Sequence, residues 1–98
     1  KLTVSENVAD LGGIAAALEA AKKEEDFSAE EFFTNFARIW RMKARTEYMQ
    51  LLASVDVHAP GKLRTNVQLP NFDEFFETFD VKEGDGMWRA PEDRVIIW

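Results

Sequence analysis

Hydrophobic positions recur at helical spacing in two parts of the chain. Residues 4–23 carry a run of alanine and leucine, which favour helix formation, and they predict a first helix. From Ser28 to Trp40, aromatic and aliphatic side chains return every three or four positions, which predicts a second helix with one broad apolar face. Ser28 precedes that face as the expected N-cap, and Glu31 completes a capping box.

The second half of the chain is less regular. A short helix is predicted over residues 46–54, and its buried side is expected to carry three apolar side chains: Tyr48, Leu51 and Leu52. Helical spacing stops over residues 55–70, where a Pro-Gly pair predicts a loop, with a short extended segment at 67–69. A last helix is predicted from Asn71, as its N-cap, through Phe79. The predicted fold class is mainly α, with irregular loops.

Composition and charge narrow the possible functions. The 98 residues allow one small domain, and 46% hydrophobic content is enough for a packed core. A net charge of −6 argues against a nucleic-acid binder that neutralises phosphates. No apolar run approaches the roughly 20 residues that cross a bilayer, so no membrane segment is predicted in this chain. With no cysteine, a disulfide or a thiolate metal site is excluded.

Two acidic residues near the start of the chain form a candidate site. Glu6 and Asp10 are four positions apart, so a helix would place them on one face, about one turn from each other. Two carboxylates so close repel each other unless a metal, a protonated histidine or an arginine lies over them. A simpler interpretation is open as well, because residues 3–6 match a capping box in which Glu6 would bind a backbone N–H.

The single histidine, His58, lies in the predicted loop. Asp56 precedes it by two positions and Arg64 follows it by six. A carboxylate this close would orient the imidazole and favour its charged form. Loops carry functional residues more often than the elements they connect, so this group is a second candidate site.

Four segments, in order, carry a resemblance to a known family. Residues 6–13, Glu-Asn-Val-Ala-Asp-Leu-Gly-Gly, resemble the third-ligand motif of the neprilysin (M13) family of zinc metallopeptidases, which includes the bacterial endopeptidase O enzymes. Residues 56–64, with Asp-Val-His-Ala-Pro-Gly and a following arginine, and residues 71–75 resemble the family's next segments. Residues 91–98 resemble its carboxyl terminus. The resemblance covers nearly the whole chain.

The resemblance implies a fold and a metal. Residues 1–98 would be the C-terminal, helical part of a thermolysin-like zincin catalytic domain. Glu6 would be the third ligand of one Zn²⁺, and Asp10 would brace a zinc-binding histidine. These roles suit carboxylates, which ligate zinc in catalytic sites and often accept the second N–H of a ligating histidine.

The resemblance also implies roles in catalysis and substrate binding. His58 would donate to the oxyanion of the tetrahedral intermediate, and Asp56 would support it. Arg64 would hold a backbone carbonyl of the peptide substrate, with Asn66 as a further candidate for backbone binding. Donors aimed at developing charge lower the barrier, and a guanidinium fixes a carbonyl rigidly.

One part of the family's site is missing from this sequence. The family needs a His-Glu-x-x-His helix, which supplies two ligands and the general base, and a chain with one histidine cannot provide it. The chain is therefore expected to be an inactive C-terminal fragment of a zinc endopeptidase that hydrolyses oligopeptides, and its partner would be the N-terminal remainder of the same polypeptide. Animal members are disulfide-linked, so the absence of cysteine indicates a bacterial enzyme, expected in the cytoplasm. The alternative is a non-catalytic, acidic helical module that binds a protein partner.

Overall fold

The computed structural model describes residues 3–41, 43–56 and 58–96. Helices dominate these residues, and no strand occurs among them. The five α-helices are α1 (Val4–Ala21), α2 (Ala29–Trp40), α3 (Thr46–Val55), α4 (Gly61–Asn66) and α5 (Asp73–Phe79). Two 3₁₀ turns, Leu69–Asn71 and Pro91–Asp93, complete the order. The mainly α prediction is thus confirmed.

The two helices with the strongest sequence pattern begin where the pattern placed them. The hydroxyl of Ser28 accepts a hydrogen bond from the backbone N–H of Glu31 at 3.3 Å, which confirms the predicted N-cap of α2. α1 begins at Val4 after Thr3, but Thr3 makes no side-chain cap bond. The capping box was therefore the wrong interpretation of the first turn of α1.

The core lies where α1, α2 and α5 meet. Phe33 of α2 is 1% exposed and packs edge to face on Phe75 of α5, with ring centroids 5.5 Å apart. Ile14 and Leu18 contribute the apolar side of α1 to the same cluster. Aromatic pairs of this geometry add a specific attraction to the apolar area that they bury. The core therefore fixes α1 relative to the second half of the chain.

The middle of the predicted irregular region is helical. Residues 55–70 contain α4, which starts after the N-cap Pro60, and the expected extended segment lies in a turn and the following 3₁₀ turn. A helix of only six residues is too short for hydrophobic periodicity to reveal it. The predicted loop is present at 56 and 58–60, between α3 and α4, whereas the loop predicted over 61–66 and the extended segment predicted over 67–69 were wrong.

Asn71 does not cap α5. The cap residue is Phe72, which makes no side-chain cap bond, and Oδ1 of Asn71 instead accepts from Arg89 and from the backbone N–H of Val95. The carboxamide thus ties the start of α5 to the segment after it. The local sequence could not show that these distant donors would compete for the same oxygen.

α3 was expected to bury one side, and it does not. None of its residues is buried, and Tyr48 and Leu51 are 51% and 54% exposed. The apolar side of α3 has no covering element within the part of the chain that the structure describes. The prediction of buried side chains was therefore wrong for this chain.

α4 is held close to α2 and α1. The Cα of Gly61 faces the backbone carbonyl oxygen of Trp40 so closely that a Cβ there would collide with it. After α4, the side-chain amide of Gln68 donates to the backbone carbonyl of Asn7 at 3.0 Å. These contacts bring the segment after Asp56 against the first turns of α1. No helix in the described ranges is long and apolar enough to cross a membrane.

Candidate metal and substrate site

The first group of site residues joins α1 to the segment before α4. Oε1 of Glu6 lies 3.0 Å from Nε2 of His58, and Oδ1 of Asp56 lies 3.2 Å from Nδ1 of the same ring. The backbone N–H of His58 also donates to Asp56 at 3.0 Å. The Glu6 and His58 side chains are 40% and 39% exposed, so a substrate or a further protein segment could reach both. Val57, between Asp56 and His58, lies outside the described residues, as do Ile97 and Trp98 of the segment 91–98.

The two carboxylates set the chemistry of the imidazole between them. Ionised carboxylates only accept hydrogen bonds, and both ring nitrogens of His58 face one, so each contact requires an N–H on the ring nitrogen that faces the carboxylate. The backbone N–H of His58, followed by its ring and the nearby charge of Arg64, holds the pKa of Asp56 below its usual range. Asp56 is thus an anion that fixes the ring orientation and leaves Nε2 directed at Glu6.

The lowered pKa of Asp56 predicts a pH dependence. Folding favours the ionised carboxyl, so its stabilising contribution is complete above the pKa of the unfolded chain, about 3.9. The contribution is lost as the pH falls through the lower pKa of the folded state. We expect an NMR titration of carboxyl-labelled aspartate in the intact protein to place Asp56 below that ordinary value.

The variant His58→Ala separates the causes of this shift. It keeps the backbone N–H, which is the largest cause, and removes the ring. We expect its Asp56 pKa to move only part of the way back toward the ordinary value. An Asp56 that titrates at or above that value in the unsubstituted protein would contradict the described geometry.

The second group joins α1 to α4. The carboxylate of Asp10 accepts two hydrogen bonds from Arg64, one from Nε and one from Nη2, each 2.8 Å long. The two side chains are 17% and 15% exposed, so this ion pair is far less screened by water than the group around His58. A two-point pair fixes the guanidinium plane as well as its position. Arg64 is therefore a rigidly held cation.

The ion pair of Asp10 and Arg64 joins two residues for which different roles were predicted. Asp10 was predicted to brace a zinc-binding histidine, and in the described residues its partner is Arg64. A carboxylate offers about four acceptor sites, so two bonds to Arg64 leave room for a histidine N–H. Arg64 was predicted to hold a substrate carbonyl, and its bonds to Asp10 use Nε and Nη2, so among the described residues the two N–H groups of Nη1 have no hydrogen-bond acceptor. The geometry is compatible with both predicted roles. Asn66 ends α4 on the exposed surface.

An aromatic residue that the sequence pattern assigned to the apolar, core-forming face of the second helix belongs to the site. The guanidinium carbon of Arg64 lies 3.7 Å from the ring centroid of Trp40, at the end of α2. A pocket of about 300 Å³ opens beside this contact, and its wall includes Trp40, Asp56, His58 and Arg64. Arg64 lies 24 positions after Trp40, so no local pattern in the sequence predicted that its guanidinium would stack on this ring.

The donor set suits one zinc ligand rather than a complete metal site. No group of three His, Cys, Asp or Glu side chains that could hold a metal occurs in ranges 3–41, 43–56 and 58–96. Glu6 offers an accessible carboxylate in the first turn of α1, and Asp10 lies one turn further on the same helix. Glu6 could therefore be one zinc ligand and Asp10 its supporting acid, if residues outside this chain supply the histidine ligands.

Comparison with known proteins gives the context for this site. The chain is 61% identical to the neutral endopeptidase of Lactococcus lactis subsp. lactis over 98 residues, which is all of this chain and 16% of that protein. It is 45% identical to the neutral endopeptidase of Lactobacillus helveticus over 98 residues, or 15% of that protein. It is 33% identical to human neprilysin over 109 aligned residues, covering 98% of this chain and 14% of neprilysin. No solved structure matches the chain significantly.

The family model described as peptidase family M13 matches residues 1–95. This match spans the groups around His58 and Arg64 and most of the core. It confirms the resemblance found in the ordered sequence segments. The chain therefore belongs to peptidase family M13.

Proposed function

We propose that residues 1–98 are the C-terminal portion of the catalytic domain of a zinc endopeptidase and supply part of its active site. The observation that carries the proposal is the pairing of the predicted ligand with the predicted oxyanion donor, Glu6 with His58 at 3.0 Å. Two relatives with 61% and 45% identity are named neutral endopeptidases, and the chain spans 16% and 15% of their lengths. The missing histidine ligands would come from a part of the same polypeptide outside these residues.

Glu6 and Asp10 serve the metal in this proposal. Glu6 would be one protein ligand of the zinc ion, which when bound polarises the peptide carbonyl and activates a water molecule. Asp10 would accept the second N–H of a histidine ligand with the acceptor sites that Arg64 leaves open. In this way Asp10 would join the metal to the cation that binds substrate.

His58 and Arg64 serve the substrate. Nε2 of His58 lies next to the Glu6 carboxylate, so a carbonyl oxygen near the metal would also lie near this donor. The N–H would strengthen its bond as negative charge develops on that oxygen. Arg64 would orient the peptide by donating from Nη1 to a backbone carbonyl, while Asp10 holds the other edge of the guanidinium. Neither step needs Arg64 to change its protonation state.

The exposed side of α3 supports the proposed larger protein. Tyr48, Leu51 and Val55 leave between 51% and 62% of their surfaces exposed on one ten-residue helix. Contiguous apolar surface of this kind is usually covered in the functional protein. We assign its cover to the remainder of the same polypeptide, since the region similar to this chain makes up 16% or less of the length of these relatives.

Zinc-dependent hydrolysis tests the proposed function. The intact enzyme is expected to cleave an oligopeptide, to lose this activity on dialysis against a chelator, and to regain it when Zn²⁺ is restored in stoichiometric amount. The isolated chain is expected to be inactive, because it holds one histidine. Activity in the isolated chain, or chelator-resistant activity in the intact enzyme, would refute the proposal.

The same exposed side of α3 favours a second candidate, a non-catalytic module that binds a different protein through its apolar surface. The module needs no metal. It predicts an intact protein without zinc-dependent hydrolysis, so the dialysis experiment separates the two functions.

A further inference from the structure

Arg64 is held on two sides by different kinds of contact. Asp10 engages one edge of the guanidinium through Nε and Nη2, and the indole of Trp40 covers one face at 3.7 Å. The paired hydrogen bonds set the rotation of the guanidinium in its own plane. The aromatic face restricts the tilt of that plane and attracts the cation by the negative charge at the ring centre. Together the contacts fix the direction in which Nη1 points.

Trp40 is itself fixed by its neighbours. Its ring meets Phe36 of the same helix in an edge-on arrangement, with centroids 6.5 Å apart. Its backbone carbonyl lies against Gly61, where only a glycine leaves room. Gly61 is the first residue of the helix that carries Arg64, three positions before it. The backbone contact thus sets the distance between the indole and the helix on which the guanidinium is mounted.

We propose that Trp40 is a positioning residue for substrate binding, which acts by presenting Nη1 of Arg64 to a backbone carbonyl of the peptide. The inference rests on the proposed function, because it deepens the role given to Arg64. Trp40 and Arg64 also share the wall of the 300 Å³ pocket with His58, so the indole, the guanidinium and the proposed oxyanion donor line one cavity.

The test replaces the ring in the intact zinc-loaded enzyme. Trp40→Leu keeps apolar bulk and removes the aromatic face, whereas Trp40→Phe keeps a weaker one. We expect kcat/KM of Trp40→Leu to fall by about 3- to 30-fold, mainly through a higher KM, with the zinc content unchanged. Trp40→Phe is expected to recover most of this loss. Trp88→Phe, at a partly buried indole that packs on the core and is not part of the pocket wall, is the matched control and should leave kcat/KM near the wild-type value.

A double variant shows whether Trp40 acts through Arg64. If it does, Trp40→Leu should have little further effect once Arg64→Ala has removed the guanidinium, so the two losses should not add. Additive losses would overturn the proposal and indicate that the indole acts on substrate or on the core. An unchanged KM in Trp40→Leu would overturn it too.

An NMR measurement keeps this inference distinct from the proposed function. A ring 3.7 Å from the guanidinium carbon should shift the side-chain resonances of Arg64 upfield, and Trp40→Leu should abolish that shift while Trp88→Phe retains it. If the shift is present but the wild-type enzyme hydrolyses no peptide, the proposed function fails although the contact stands. If hydrolysis is present without the shift, the positioning role is wrong.

Discussion

Glu6→Gln is expected to abolish zinc retention by the intact enzyme and with it the hydrolysis of peptides. The amide is nearly the same size as the carboxylate, but it lacks the negative charge that a catalytic zinc site draws from its carboxylate ligand. Loss of supporting residues around a metal costs about 10- to 100-fold in affinity, and we expect loss of a ligand to exceed that range. Metal analysis after gel filtration, combined with a titration against a zinc indicator, measures the change.

Two controls accompany the Glu6→Gln variant. Its carboxylate also contacts His58 at 3.0 Å, so the melting temperature of the metal-free variant must be compared with that of the metal-free wild type. Glu77→Gln removes an exposed carboxylate of α5 and is the matched control for net charge. Equal zinc content in Glu6→Gln and Glu77→Gln would show that Glu6 is not a ligand.

His58→Ala is expected to keep its zinc and to lose turnover. Removal of one donor aimed at a developing oxyanion lowers kcat by roughly 10²- to 10³-fold in other enzymes. Because the donor acts on charge that is present mainly in the transition state, KM should change much less than kcat. Steady-state kinetics on one oligopeptide, with zinc content measured on the same preparation, test both parts of this expectation.

The ring contacts of His58 provide a graded comparison. His58→Gln retains one N–H donor on a side chain of similar reach, so it should keep more of kcat than His58→Ala. Asp56→Asn leaves the ring in place but replaces the anion that orients it with a neutral amide, so the loss of kcat should be smaller than that of His58→Ala. A His58→Ala enzyme that loses its zinc would instead give the histidine a role at the metal.

The local sequence predicted the long helices because their signals are local. α2 has twelve residues, with aromatic side chains on one face and Ser28 as its N-cap, and each of these features acts within four positions of the chain. Residues of the site were predicted from ordered motifs, and the described structure gathers them into two adjoining groups. Their partners could not be predicted, since Asp10 and Arg64 are 54 positions apart and no local rule connects them.

The errors have a common physical origin in distant contacts. Asn71 has the side chain of a good N-cap, yet Arg89 and the backbone of Val95 take its oxygen. α3 has apolar positions at helical spacing, but the surface that would bury them is absent from residues that the structure describes. In both cases the sequence pattern correctly indicated what the side chains can do, accept a hydrogen bond or pack on an apolar surface. Contacts with distant parts of the protein determine which partner they have.

The separation of 54 positions between Asp10 and Arg64 also determines when the site can exist during folding. Closing a loop of that length costs conformational entropy that the pair alone does not recover, so the pair forms after the hydrophobic core has brought α1 and α4 together. Helix formation in α1 and α2 needs no such closure and can precede it. Substrate recognition through Arg64 is therefore a property of the completed tertiary fold, and a partly folded intermediate with native helices would have none.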